Sequence, residues 1–460
     1  KAALLSLYSP FCCVSYITSF SDPYIISACG CSHGEMDKIY ATLAEIERRE
    51  GYNFDLLICC GDYEAVRNYG DLKHMHVPEK YRNLQTFHRY YSGEIEAPVL
   101  TVFVGGNHEA SGFLQELPYG GWVAPKIYFM GHAGVIKFGG LRIAGLSGIY
   151  NKNDFDMGHW ERPPFTNYGA LVSAYHVRSV DMFRLKQLKP KNSKGPLIDI
   201  MITHDWPAGI ACYGDVEQLL RLKPYFKDDL ERNAIGNPIS MNLLHPRYWL
   251  AAHMHCFFAA LVPHSDKNDT EDVFEPTRFL SLDKPLPRRH FLQVLNFKVH
   301  QDEPLHLSYD PIWLAILKST DKFTSATKNI SYMPSQHNRN ERWDFRPTEE
   351  ELEEIKKIFD GDFKIPMNFK MTAQPHKESE HIDSAQEIYY RNPQSAEFCS
   401  KLGIQDLNAM LCSLSKDGVG VPYYLRTSDN LHNDSGNKAV YDKNMVTIST
   451  YSSLENIQHL

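Results

Sequence analysis

Val99-Leu100-Thr101-Val102-Phe103-Val104-Gly105-Gly106-Asn107-His108-Glu109 is an apolar run that stops at two glycines and is followed at once by an amide, an imidazole and a carboxyl. A short apolar run bounded by such punctuation reads as a buried strand. The glycines let backbone approach closely just where potential ligands or acids begin. Four other runs end in the same way. Tyr24–Cys29 leads into Gly30-Cys31-Ser32-His33, Phe54–Cys60 into Gly61-Asp62, Ile198–Thr203 into His204-Asp205, and Tyr248–Ala252 into His253-Met254-His255. Between them, Met36 to Glu50 carries apolar residues at Met36, Ile39, Leu43 and Ile46, the spacing of a helix, with Gly51 where a C-terminal cap belongs. Gly139-Gly140 splits Val135–Ile149 into the arms of a hairpin. Strands alternating with helices predict an α/β fold, and in such folds the loops beyond the strand ends form the ligand crevice.

The chain of 460 residues exceeds one compact core and implies two domains plus a tail. A polar stretch near Pro263 to Glu275 marks the boundary. The expected division is an extension at 1–23, an α/β domain at 24–265, a second domain at 266–410 and a polar tail at 411–460. The second domain has apolar runs at Phe291–Phe297 and Ile312–Leu317 and an acidic helix near Thr348 to Phe359. Ala2 to Phe20 is fairly apolar behind Lys1, but Ser, Tyr, Pro and Thr interrupt it. It reads as an extension before the first strand, and no other stretch could cross a membrane. Net charge is -8, which argues against non-specific coating of nucleic acid but leaves local basic contacts open. The ten cysteines form no C-x-x-C pattern and read as reduced thiols of an intracellular protein.

Cys31, His33, Asp62, Asn107, His204, His253 and His255 offer one thiol, one carboxylate, one amide oxygen and four imidazoles, with His108 beside them. Imidazole and carboxylate suit zinc, iron and manganese, and a thiolate favours the softer ions. Two sites sharing Asp62 would hold ions roughly 3.5–4 Å apart, a spacing suited to in-line displacement at phosphorus. Taken singly these pieces are weak: a His-x-His pair is commonly a surface or core pair, and Gly-Asp after a strand is commonly a turn. Their conjunction, each after a strand, is what points to two-metal phosphoester chemistry.

D-x-H, G-D, G-N-H-E, a single His and G-H-x-H is the pattern of the metallophosphoesterases. This sequence resembles it with two departures, Cys31 for the first Asp and Ala252 for the Gly before His253. The Cys-x-His opening is similar to that of the lariat debranching enzymes. Further segments resemble the same family: Tyr81–Phe87, Tyr90–Glu94, Gln115–Pro125, Leu146–Tyr150, Tyr175–Arg178, His204–Pro207, Leu282–Val294 and Leu307–Pro311. The likeness spans roughly residues 24–410.

The resemblance implies a four-layer αββα sandwich of two mixed sheets, with a smaller C-terminal domain packed on it. It implies hydrolysis of the 2′,5′-phosphodiester branch of excised intron lariat RNA. One implied pocket uses Cys31, His33, Asp62 and His255, and the other Asp62, Asn107, His204 and His253. Fe2+ and Zn2+ are the implied ions, with Mn2+ able to substitute, and softness assigns zinc to the thiolate pocket. His108 would not ligate, but would stabilise charge at phosphorus or protonate the leaving 2′-oxygen. A recognition segment is implied at Ser147 to Val177, with Tyr150, Asn151, His159, Tyr175, His176 and Arg178 as candidate RNA contacts. Arg178, Arg288 and Arg289 are candidates for phosphate. Intron-turnover or splicing factors are expected partners, and the nucleus the expected location, with a cytoplasmic fraction allowed. Other phosphomonoesterase or nuclease activity, or a non-catalytic scaffold, are the rival readings. A scaffold is expected to have lost several of the ligand positions present here.

Overall fold

The computed structural model describes residues 23–428, apart from 166, 189–197, 232–243, 265–274, 299–302, 338–340, 380–384 and 416–418. The expected N-terminal extension (all but residue 23), residues 265–274 of the polar boundary stretch and the end of the tail fall outside the described residues.

In chain order the strands are β1 Tyr24–Cys29, β2 Leu56–Cys59, β3 Thr101–Phe103, β4 Gly121–Ala124, β5 Ile127–Phe129, β6 Ala133–Phe138 and β7 Leu141–Leu146. They continue as β8 Ile200–Thr203, β9 Tyr248–Ala251, β10 Phe258–Val262, β11 Thr277–Ser281, β12 Leu292–Phe297 and β13 Ser308–Tyr309. One sheet runs β12-β1-β2-β3-β5-β4 and the other β10-β11-β9-β8-β7-β6-β13, and both are mixed. The helix expected after the first strand spans Met36–Glu50 and ends on Gly51 in the left-handed conformation.

Along each central strand successive side chains enter different cores. Ile26 and Ala28 of β1, Leu56 and Ile58 of β2, Val102 of β3, and Ile200 and Ile202 of β8 face a core between the sheets. Leu57, Cys59 and Phe103 turn outward to meet Met36, Ile39 and Leu43 of the helix. Met201 turns outward on the other sheet, into a core shared with Trp313, Leu314 and Ile316 of the helix Pro311–Ser319. Each sheet is thus apolar on both faces, which is why its strands read as unbroken apolar runs rather than alternating ones. The layers are helix, sheet, sheet, helix, as expected.

The residues beyond the boundary stretch do not form a body apart. β11 pairs in parallel with β9, and β12 pairs antiparallel with β1 along its whole length. Before its helices begin, the segment therefore supplies β12 to the six-stranded sheet and β11 and β13 to the seven-stranded one, β13 pairing antiparallel with β6. The acidic helix is Glu349–Ile358, opened by a capping box of Thr348 and Glu351. The tail assigned from 411 is in part structured. Helix Leu407–Leu414 runs into it, and Val419–Gly420 pairs with Tyr389–Tyr390. Leu407 and Leu411, one turn apart, pack on Tyr389, an apolar contact that composition alone does not show.

Candidate metal centre

The parallel strands β1, β2, β3, β8 and β9 deliver their following loops to one edge of the sandwich. Backbone bonds knit these loops together: Ser32 N–H to Gly61 O (3.2 Å), His33 N–H to Asp62 O (2.7 Å) and Ala252 N–H to His204 O (3.1 Å). Gly106 must be glycine, because a Cβ there would fall 2.2 Å from Asp62 Oδ1 and 2.8 Å from His204 Cε1. His33, Asp62, His253 and His255 all sit at positive φ (46°, 47°, 62° and 47°). A non-glycine residue in that region costs roughly 1–2 kcal/mol, and such strain gathers where a side chain must be aimed at a ligand.

The strain brings donors together. Ligand atoms of Cys31, His33, Asp62 and His255 all lie within 4.8 Å of one another. His33 Nε2 is 3.1 Å from His255 Nε2 and 3.7 Å from Asp62 Oδ2. That Asp62 oxygen is buried without a hydrogen-bond partner. On the other side of the same carboxylate, His204 Nε2 is 3.3 Å from Asp62 Oδ1 and 3.1 Å from Asn107 Oδ1. The His253 ring lies 5.0 Å from that of His204, and its backbone N–H donates to Cys31 Sγ at 3.2 Å. The loops thus bring Cys31, His33, His204 and His255 around Asp62, with Asn107 and His253 beside His204. The donor set suits borderline divalent ions, and an orphaned buried carboxylate oxygen faced by imidazoles is what a cation would satisfy.

Electrostatics follows from burial. Desolvation would raise the Asp62 carboxyl, but His204, His33 and His108 together hold it well below the usual range. Burial drives His204 down to about 4 and, with His33 alongside, His255 to about 3, so both are neutral at pH 7 and free to ligate. Burial and then Asp62 push the Cys31 thiol well up. It becomes a thiolate only opposite a cation.

His108 approaches the cluster without joining it. Its backbone N–H donates to Asp62 Oδ1 (2.9 Å) and its ring lies 5.7 Å from that of His33. Nδ1 is 3.2 Å from the carbonyl of His76; a carbonyl only accepts, so Nδ1 carries the proton. Nε2 is left as the nitrogen that can give or take one.

Two acids escape the sequence reading. Glu64 Oε1 lies 3.0 Å from His33 Nδ1, which fixes that ring with Nε2 toward the cluster. Nothing in Gly-Asp-Tyr-Glu distinguishes it. Glu109 accepts from the backbone N–H groups of Tyr63, Glu64 and Gly106 (2.7, 2.8 and 2.9 Å) and so braces two ligand loops. Burial, then the charge of Asp62, raises it to about 8. Its place after Asn107-His108 is the signal that could have singled it out.

The expected recognition segment begins at Ser147 and is tied back by Gly148 N–H to Gly105 O (2.8 Å) and Val177 N–H to Ile149 O (3.0 Å). Three of its candidate RNA contacts are corrected. Arg178 is fully buried, its guanidinium on Glu161 (2.5 Å) and on the carbonyls of Gly158, His176 and Ser173. His159 is buried against Asp181 (2.8 Å), and His176 against Asp154 (2.6 Å). These side chains build the segment from within. Tyr150 and Asn151 are half-buried, Tyr175 is turned toward His76, and Arg288 and Arg289 are exposed, with Arg289 paired to Asp283 (2.9 Å).

Residues 25–257 match the calcineurin-like phosphoesterase family, and residues 274–407 match the lariat debranching enzyme C-terminal domain. A lariat debranching enzyme of Caenorhabditis elegans is 56% identical over 418 residues, covering 88% of this chain and 82% of the relative. That of Caenorhabditis briggsae is 56% identical over 413 residues (87% and 80%), and that of Homo sapiens 47% over 414 residues (89% and 75%).

Proposed function

This chain belongs to the lariat debranching enzyme family, and on that premise we propose that it hydrolyses the 2′,5′-phosphodiester at the branch of excised intron lariat RNA. The observation that carries the reading is Asp62, clustered with Cys31, His33 and His255 and with its other oxygen 3.3 Å from His204, which in turn lies beside Asn107 and His253.

Cys31, His33, Asp62 and His255 would hold one divalent ion, and Asp62, Asn107, His204 and His253 a second. Bound there, such ions supply Lewis acidity and make water acidic enough to serve as the nucleophile near neutral pH. The chain's own residues do the rest. Glu64 fixes the tautomer of His33, and Glu109 braces the loops that carry Asp62 and Asn107. His108, its Nδ1–H held by the His76 carbonyl, acts in its imidazolium form and gives the Nε2 proton to the departing 2′-oxygen as its bond to phosphorus breaks, leaving the neutral ring. Tyr150, Asn151, Arg288 and Arg289 stand as the RNA contacts of this reading.

The thiolate pocket is the zinc pocket in this reading, iron(II) fills the other, and manganese substitutes. Its cellular counterpart is intron turnover after splicing, in the nucleus. The test is incubation with a branched RNA and a linear control of the same sequence, with zinc, iron(II) or manganese added. Cleavage confined to the branch is expected, and equal cleavage of both substrates would replace this reading with that of a general nuclease.

A further inference from the structure

The ring of His76 has no part in the chemistry described so far, yet the residue links His108, through its backbone carbonyl, to the segment Ser147–Val177, through its ring. Its carbonyl accepts from His108 Nδ1 at 3.2 Å. Its own Nδ1 is 2.6 Å from the hydroxyl of Tyr175, and its Nε2 is 2.5 Å from the hydroxyl of Tyr168. Both tyrosines belong to the segment Ser147–Val177. Tyr175 is buried and nearly parallel to the imidazole, with ring centroids 5.7 Å apart at 17°. Tyr168 lies edge-on at 4.9 Å and is 69% exposed. A neutral imidazole has one donor and one acceptor, and two hydroxyls complement it fully.

This chain of contacts runs from an exposed aromatic ring on the recognition segment to the nitrogen that sets the orientation of His108. An aromatic face of that kind stacks on an unpaired base. Proton delivery to a leaving oxygen tolerates little misplacement: a shift of about 1 Å can cost on the order of 100-fold.

We propose that His76 is a positioning residue, clamped by Tyr168 and Tyr175, that holds the imidazole of His108 in line with the leaving 2′-oxygen. The segment that receives the RNA thereby also aims the acid. This inference rests on the branch-cleavage reading above. It assigns His76 no contact with the phosphate.

The test separates protonation of the leaving group from every other step. Two branched RNAs are compared, one natural and one with sulfur in place of the bridging 2′-oxygen. A thiolate leaves without a proton, so only the natural branch needs the acid. His76→Ala and Tyr175→Phe are expected to lower kcat on the oxygen branch by about 10-fold or more, with KM changed less than about threefold. Cleavage of the sulfur branch and metal content are expected to stay within about twofold of the unsubstituted protein, and His108→Ala to show the same pattern more strongly. Equal losses on both branches would mean that the substitutions disturb the metal centre, and no loss on the oxygen branch would mean that the clamp does not act on His108. Either result overturns the inference. Failure of the unsubstituted protein to cleave the natural branch would remove the underlying reading, and the inference with it.

Discussion

The strand-end loops and the segment Ser147–Val177 draw on the same residue types and use them in opposite ways. In the loops, His33, Asp62, His253 and His255 are held in left-handed backbone, and Asp62 Oδ2 is buried with no partner. In the segment, Gly148 alone among the described residues has positive φ. Three of its buried or half-buried groups pair within the fold, Arg178 with Glu161, His176 with Asp154 and His159 with Asp181, although Glu161 Oε2 and His159 Nδ1 are left without a hydrogen-bond partner. Strain and an orphaned oxygen cost stability unless something else binds to offset them. Unstrained, paired groups already contribute to the fold without a ligand. The contrast separates a site from a scaffold more sharply than composition does, and substitutions can break it.

The largest effect is expected at Asp62, on which both implied pockets depend. Asp62→Asn should reduce branch cleavage by about 1,000-fold or more and lower the bound metal, while the urea midpoint of the metal-free protein holds or rises. A variant that loses stability but keeps its metal would place Asp62 with the scaffold. Arg178→Ala should show the reverse. It strands Glu161 in the interior and should cost about 3–5 kcal/mol in urea unfolding. Unchanged stability with weakened RNA binding would instead return Arg178 to the RNA surface.

Glu64→Gln probes the border between the two kinds of residue. Its carboxylate lies 3.0 Å from His33 Nδ1 and is itself at positive φ (58°). Replacing it should weaken metal binding by about 10–100-fold, read by competition with a chelator, with little change in folding. Unchanged affinity would show that the ring is oriented by packing alone.

This same border marks how far the sequence is legible. The five strand ends and the donor side chains that follow them could be read because sheets covered on both faces demand apolar runs, and a polar residue after such a run stands out. The partners of β11 and β12 could not be read. The run Phe291–Phe297 reveals a strand, but nothing in one dimension says that it lies along Tyr24–Cys29. Nor do the letters of His159, His176 and Arg178 reveal their burial, since each meets an acid that is 17 to 22 residues away. Polar composition in a long segment is equally consistent with RNA contacts and with an internal network, and only tertiary distance decides. Asp62 and Glu64 lie two positions apart, yet only the first follows a glycine at a strand end, so only the first was visible.

The smallest effect concerns pH. Asp181 is fully buried; desolvation would raise its carboxyl, but the His159 charge and hydrogen bond outweigh that and hold it down to about 2. An unfolded aspartate titrates near 3.9, so the folded state binds the proton more weakly than the unfolded state does. The pair therefore contributes stability that is fully present above about pH 4 and is lost as pH falls toward 2, a contribution on the order of 2–3 kcal/mol. Asp181→Asn should lower the urea midpoint at pH 6, where the native carboxylate is charged, and should flatten the loss of stability between pH 4 and pH 2. The same substitution should leave metal content at neutral pH unchanged, because neither member of the pair faces Asp62. Parallel pH profiles for the two proteins would mean that His159 and Asp181 do not act as an ion pair. The division between paired scaffold and unpaired site would then have to rest on the strand-end loops alone.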